Sequence, residues 1–267
     1  CFTGVNTLFN LMLNERKFCL GTYPHLRIVL SGGMMLDKKV AQKWHQVTGV
    51  HISQAYGLSE TSPAVTMNHF ELDKFETSVG YPLVDTHIQI RNDQGALVGP
   101  DEKGLIYVKG PQLMQGYWQD PLLTQTVIDV QGFFCTGDIG FLDTKGRLTI
   151  TARKKDMIIV SGFNVYPREI ENHLNERADI QEVAVVGLPD SKSSERVCAC
   201  IVLKEGANVS EAMLHAYLQP RLAQYKIPKQ YYFCDTLPKS HVGKILKTAI
   251  VQSLCEEQGA KHVCTEE

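Results

Sequence analysis

The order in which periodicities follow one another along the first part of the chain limits the fold more than any other feature. Leu26–Leu30 (Leu-Arg-Ile-Val-Leu) is apolar and β-branched and runs straight into Ser31-Gly32-Gly33. That is the pattern of a buried strand ending in a tight loop. Asp37–Thr48 then takes helical spacing, with Val40, Trp44 and Val47 on one stripe and Asp37 placed to cap. Val50–Tyr56 reads as the next strand. Strand, loop, helix, strand is the rhythm of an α/β sheet.

From Ser78 to Ile150 the texture changes. Short strands over Thr86–Arg91, Leu105–Lys109 and Arg147–Thr151 are separated by Gly, Pro and Asp turns. This predicts a small antiparallel sheet or barrel. Asn92-Asp-Gln-Gly95 and Asp143-Thr-Lys-Gly146 read as hairpin turns. After the charged stretch Arg153-Lys-Lys-Asp156 the texture changes again. Strands are expected over Met157–Val160, Ile180–Leu188, Arg196–Leu203 and Tyr231–Cys234. Helices are expected from Pro167, from Ser210 to Leu222 with Ser210 as N-cap, and over Ile245–Cys255. The expected organisation is α/β plus α+β. Residues 1–152 form one block, α/β over 1–77 and β-barrel-like over 78–152, and 153–267 form a small α+β domain.

Composition excludes several classes. Lys plus Arg total 27 and Asp plus Glu 29, a net charge of −2, so there is no basic footprint for nucleic acid. The eight cysteines include no C-x-x-C pair and no zinc spacing. Cys198 and Cys200 alternate on one strand and are expected as small core residues, which fits a reducing cytoplasm. The nine histidines show no metal spacing and read as structural. No apolar run reaches the ~20 residues that span a bilayer. Cys1-Phe-Thr-Gly has no basic signal-peptide start, and a first residue other than Met reads as a fragment boundary.

Four constellations carry chemistry. Gln54-Ala-Tyr56-Gly57-Leu-Ser59-Glu60-Thr61 ends a strand with an aromatic ring, a permissive Gly, two hydroxyls and a carboxylate. A nucleoside triphosphate needs such a set: a ring for the base, hydroxyls for phosphate, a carboxylate for Mg²⁺. The other reading is an ordinary strand-to-loop turn. It is not a serine-hydrolase elbow, because position 61 is Thr. Cys135-Thr-Gly-Asp138 places an acid after a Gly turn, where it can accept ribose hydroxyls. Between Arg153 and Pro167 a basic cluster precedes Ser161-Gly162, and a missing Cβ there would let a ligand approach the backbone. In Leu237-Pro-Lys-Ser-His-Val-Gly-Lys244-Ile245 the Walker pattern fails, since position 238 is Pro and 245 is Ile. Lys244 can instead act as a point charge for a phosphate or carboxylate.

In this order the four motifs resemble the adenylate-forming superfamily of acyl-CoA synthetases, adenylation domains and luciferases. Three stretches bring the resemblance nearest to bacterial long-chain fatty-acyl-CoA synthetases: Gly110–Trp118, Arg153–Pro167 and Tyr225–Lys229. The resemblance covers essentially the whole chain and implies the C-terminal part of such an enzyme: the rest of the large AMP-binding domain, then the mobile C-terminal domain. It implies that Ser31, Gly32 and Gly33 line the adenine with Tyr56 and Gly57. Ser59 would meet the α-phosphate, Glu60 would hold Mg²⁺, and Asp138 and Arg153 would bind the ribose. Lys155 would be the hinge, Ser161 and Gly162 would face CoA, and Lys244 would be the adenylating lysine.

The implied reaction converts fatty acid and ATP to acyl-adenylate and pyrophosphate, then to acyl-CoA and AMP, as in fatty-acid degradation. The resemblance further implies a cytoplasmic protein, with peripheral attachment to the inner membrane open to the full enzyme. It implies a full enzyme that can dimerise and a monomeric fragment. Two departures stand out: Leu105 follows Lys103-Gly104 where the family has Glu, and Phe133 and Cys135 replace a usual Trp and His. Nothing matches the family's Ser/Thr/Gly-rich phosphate loop, expected upstream. Two other readings remain: an aryl- or short-chain-CoA ligase, and a non-catalytic nucleotide-binding module.

The purified 267-residue chain is therefore expected to form little acyl-adenylate from ATP and palmitate. Pyrophosphate release at an ordinary enzyme turnover of about 1 s⁻¹ or more would contradict this.

Overall fold

Three short parallel strands begin the first of two units, Cys1–Ile150 and Thr151–Glu267. The computed structural model describes residues 1–190, 192–240 and 243–263, with side chains to Glu256. His241, Val242 and Cys264 lie outside the described residues.

In the first unit β1 (Phe2–Gly4), β2 (Val29–Ser31) and β3 (Ile52–Gly57) run parallel, with Gly4 opposite Ser31 and Ser31 opposite Gln54. The crossovers are helical: α1 (Asn6–Asn14) and α2 (Arg16–Cys19), then α3 (Lys38–Thr48). Asp37 caps α3, accepting from the amides of Lys39 and Val40, and Gly49 closes it at φ 74°. The buried side of α3 is Ala41 and Trp44, with Val40 and Val47 at its margin. Phe9 meets the Trp44 ring edge-on at 4.8 Å and Phe2 stacks on it at 5.8 Å. The apolar run expected as a strand over Leu26–Leu30 pairs only from Val29, because the ladder with β1 is three residues long.

The sheet continues antiparallel through β4 (Ala64–Met67) and β5 (Tyr81–Pro82). A second, four-stranded sheet follows in the order β6 (His87–Arg91), β7 (Gly104–Lys109), β8 (Phe134–Leu142), β9 (Leu148–Arg153). Both expected hairpin turns are present, closed by Gly95 at φ 79° and Gly146 at φ 78°. Val65 and Val79 share one core with Ile90, Ile106, Val108 and Leu148. The two sheets are therefore fixed to each other by apolar packing. One helix, α4 (Pro121–Val127), lies between β7 and β8, capped by Asp120. The sequence reading missed α1, α2 and α4, the short strands β1, β4, β5 and Phe163–Val165, and the long strand β8.

The second unit centres on β13 (Ser194–Leu203), antiparallel to β12 (Ile180–Asp190) and parallel to β14 (Gln230–Phe233). A hairpin of β10 (Ile158–Val160) and β11 (Phe163–Val165) joins it through Val160 opposite Ser194. The sheet is covered on both faces. Val183, Val185, Ala199 and Ile201 meet α5 (Pro167–Asn175) and α6 (Glu211–Leu218). Ala184, Val186, Cys198 and Cys200 meet Ile250 and Leu254 of α7 (Lys247–Val263). Both cysteines are buried small core residues, and burial pushes the Cys198 thiol up to about 11. Two-sided burial is why β12 and β13 read as nearly continuous apolar runs.

Pro167 occupies the first turn of α5, and the Ser210 hydroxyl accepts from the Met213 amide. α6 stops at Leu218 rather than Leu222, since Pro220 has no N–H to continue the ladder. α7 starts at Lys247 because Ile245 is bridged to Lys239. Among the described residues no helix is long and apolar enough to cross a membrane.

Leu174 is fully buried in the second unit, while Trp44 and Trp118 both lie in the first. Leu174→Ala is expected to cost about 2–5 kcal/mol. Urea unfolding followed by far-UV circular dichroism should shift to lower denaturant, with the tryptophan-fluorescence transition unmoved.

Candidate active site

Parallel strands leave a crevice beyond their carboxyl ends, where α/β sheets hold ligands. At that end of the first sheet β2 finishes at Ser31 and turns through Gly32 and Gly33, the latter at φ 74°. The Ser31 hydroxyl is buried and has no hydrogen-bond partner among the described residues. Beside it β3 runs on to Tyr56 and Gly57, with a register shift between them.

Gly57 is dictated by the chain itself. A Cβ there would lie 1.7 Å from the Pro63 carbonyl oxygen. Leu58 N donates to that same oxygen at 2.9 Å, closing the turn. Ser59-Glu60-Thr61 form a single 3-10 turn within it. The sequence reading offered both hydroxyls to a phosphate, and the structure separates them. Thr61 is fully buried; its Oγ1 accepts from Leu58 N at 3.0 Å and donates to Pro63 O at 2.6 Å. Only Ser59 is exposed. Glu60 is half-buried, its Oε1 accepting from the Tyr117 hydroxyl at 3.1 Å.

Asp138 is not on a turn, as its Thr-Gly-Asp context had suggested. It lies inside β8, which bulges between the pairs Tyr107–Cys135 and Leu105–Ile139. Gly137 takes φ 73° at the bulge. Thr136 Oγ1 donates to Ile106 O at 2.9 Å and accepts from Asp138 N at 3.1 Å. A bulge re-aims a side chain without ending the strand. The Asp138 carboxylate thereby receives the Tyr56 hydroxyl at 2.6 Å on Oδ2. The first unit thus brings Tyr56 and Asp138 into contact and sets Ser59 and Glu60 on the turn that follows Tyr56.

The other candidates fall in the second unit. Arg153 is the last residue of β9, and Lys155 is exposed in the 3-10 turn Lys154–Asp156 that follows. Ser161 and Gly162 make the β10–β11 turn, at φ 50° and 84°. Ser161 N donates to Ser193 O at 2.8 Å. Unlike Gly57, Gly162 faces open space: an added Cβ would meet nothing within 4 Å. Phe163 stacks on Tyr225 at 4.7 Å, and the Lys226 ammonium pairs with Glu169 at 2.8 Å. Ser161 also borders an open cleft of about 700 Å³ with His215, Gln224, Tyr225, Lys229 and Tyr231. Burial, then the nearby Glu211 carboxylate, pushes the Tyr231 phenol up to about 12.

Lys244 sits on a loop closed upon itself. Ser240 N donates to Lys244 O at 2.8 Å, Lys244 N to Ser240 Oγ at 3.2 Å, and Gly243 turns at φ 79°. The side chain is exposed and makes no ion pair among the described residues. No cluster of three metal-binding side chains exists among the described residues. A single half-buried carboxylate such as Glu60 suits a hard cation that keeps most of its ligands from water and phosphate, as Mg²⁺ does. Tyr117, which the sequence reading quoted only within a signature stretch, is the addition the structure makes to this set.

The model for AMP-binding enzymes matches residues 1–118, and that for the C-terminal domain of AMP-binding enzymes matches 169–244. A long-chain-fatty-acid–CoA ligase of Yersinia pestis is 45% identical over 245 residues, covering 92% of this chain and 43% of its own length. An indoleacetate–CoA ligase of Aromatoleum aromaticum is 37% identical, covering 91% of this chain and 47% of its own length. The chain thus spans less than half the length of the curated relatives it matches. ATP-bound MatB from Rhodopseudomonas palustris superposes with a TM-score of 0.89 at 32% identity, over 94% of this chain and 50% of that one.

Gly57→Ala is expected to destabilise the first unit by about 1–3 kcal/mol, the usual cost of overpacking. The tryptophan-fluorescence midpoint in urea should fall, whereas Gly162→Ala in the second unit, which meets no neighbour and pays only for its positive φ, should move the far-UV circular-dichroism midpoint little.

Proposed function

Because the chain belongs to the AMP-binding enzyme family, we propose that it is the C-terminal part of an ATP-dependent ligase that joins a long-chain fatty acid to coenzyme A. One observation carries the choice of substrate class: the 45% identity to a long-chain-fatty-acid–CoA ligase over nearly the whole chain. The relative named for an aryl acid is less similar, at 37%.

The first half-reaction forms a bond between a fatty-acid carboxylate oxygen and the α-phosphorus of ATP and expels pyrophosphate. Both reactants are anionic, so cationic charge must be fixed where they meet. Lys244 supplies it; an ammonium held by an intramolecular salt bridge would first have to be released. Glu60 would hold Mg²⁺, which when bound neutralises phosphate charge. Asp138 accepts ribose hydroxyls, with Tyr56 holding one of its oxygens. Arg153 takes part in the same contact, and Ser31, Gly32 and Gly33 border the base with Tyr56 and Gly57. Ser59 donates to the α-phosphate.

In the second half-reaction the CoA thiolate attacks the acyl carbonyl and AMP leaves. The cation that served the first step would then obstruct the second. A change of backbone dihedrals at Lys155 is a means of exchanging one set of residues for the other. Ser161 and Gly162 border the path of CoA: the turn is open on the side where the Gly162 Cβ would project, and Ser161 borders a cleft that also carries Glu211, His215 and Lys229.

In the full-length protein Lys244→Ala should lower ATP–pyrophosphate exchange by roughly 10²-fold or more, the scale of removing one transition-state charge contact. Thioester formation from supplied acyl-adenylate should persist, and equal loss of both half-reactions would contradict the role. Competition among fatty acids and arylacetates tests the substrate class. Preference for an arylacetate would overturn the long-chain reading.

A further inference from the structure

The segment after β7 reaches back to the turn that carries Glu60 and grips it twice. Met114 N donates to the Glu60 carbonyl oxygen at 2.8 Å, and the Tyr117 hydroxyl donates to Glu60 Oε1 at 3.1 Å. These bonds join residues far apart in sequence, and the gripping segment is itself anchored at both ends. Gln112 Nε2 donates to Ala64 O at 3.1 Å and to Thr86 Oγ1 at 2.8 Å. Tyr117 N donates to Thr124 Oγ1 at 2.9 Å, and that hydroxyl donates in turn to Asp120 O at 2.8 Å. Asp120 caps α4 through the Leu123 amide. The phenol is therefore carried by a braced segment, not by a free loop tip.

A phenol has one proton to donate. Here that proton is directed at Glu60 Oε1, 3.1 Å away. A carboxylate held through one oxygen loses rotation about its last torsion and presents the other oxygen in a fixed direction. Metal-binding carboxylates commonly depend on such a partner.

We propose that Tyr117 is a positioning residue for Glu60, its hydroxyl fixing Oε1 so that the second carboxylate oxygen is presented to a divalent cation accompanying the nucleotide. The inference rests on the reading of Glu60 as the metal-binding carboxylate. Tyr117 acts through Glu60, the carboxylate its hydroxyl holds.

The test measures Mn²⁺ binding to the full-length protein by electron paramagnetic resonance, in the presence of a non-hydrolysable ATP analogue. Tyr117→Phe, Glu60→Gln and the double variant are compared with the parent. Tyr117→Phe keeps the ring and removes only the hydroxyl. It should weaken Mn²⁺ binding by about 10-fold, within the range for loss of a ligand's supporting hydrogen bond. Affinity for the metal-free analogue and the melting temperature should stay unchanged, which a purely structural role would not produce. In the Glu60→Gln background the Tyr117→Phe change should add nothing. If Glu60→Gln weakens Mn²⁺ binding but Tyr117→Phe does not, or if the two effects are additive, the positioning role is overturned while Glu60 keeps its part. If Glu60→Gln leaves Mn²⁺ binding intact, the metal reading of Glu60 fails, and the inference with it.

Discussion

The hydrogen bond from Tyr56 to Asp138 spans 82 positions of sequence and joins two sheets of different construction. Tyr56 belongs to a sheet that begins as parallel strands with helical crossovers, Asp138 to a purely antiparallel one. The bond is possible because both sheets contribute to one apolar core, with Val65 and Val79 packed among Ile90, Ile106, Val108 and Leu148. That packing sets the distance, and the bulge in β8 sets the direction. Three residues of β8 stand opposite one of β7 there, and Gly137 at φ 73° breaks the alternation just before Asp138. A 4%-exposed carboxylate demands polar partners, and the Tyr56 hydroxyl is one.

Much of this architecture is legible in the sequence because it rests on local signals. Asp37 and Gly49 bracket α3 by capping chemistry alone, and Pro167 and Ser210 mark their helix starts in the same way. The hairpins at Asn92–Gly95 and Asp143–Gly146 follow from residues that tolerate positive φ. What was not legible depends on partners remote in sequence. β1 and β4 are three and four residues long and exist only because neighbouring strands receive them. The Cys135–Asp138 segment has the composition of a turn, yet pairs with β7 on either side of it make it a bulge within a strand. The Tyr117–Glu60 contact has no local signature, since 57 residues separate the two.

The second unit solves a different problem. Its central strands are buried on both faces, so neither can present a reactive side chain, and its candidate residues fall on turns at the edges. Ser161 and Gly162 lie on the β10–β11 turn, and Lys244 lies on a loop that ties its own ends together. The latter arrangement gives a defined backbone to a side chain that remains exposed.

Residue type alone separates function from scaffolding poorly here, and geometry separates it well. Ser59 and Thr61 carry equivalent hydroxyls two positions apart. Thr61 spends its hydroxyl on Leu58 and Pro63 and so makes the turn, while Ser59 is left facing solvent. Gly57 and Gly162 divide in the same manner. Replacing the first would drive a Cβ into the chain's own Pro63 carbonyl, so folding alone accounts for it. The second has positive φ, which favours Gly for backbone reasons, but its Cβ direction is empty. A glycine whose Cβ direction is empty offers backbone that a ligand can approach, and its neighbour Ser161 borders a cleft. Of the two glycines, it is Gly162 whose surroundings leave room for a functional reason in addition to a structural one.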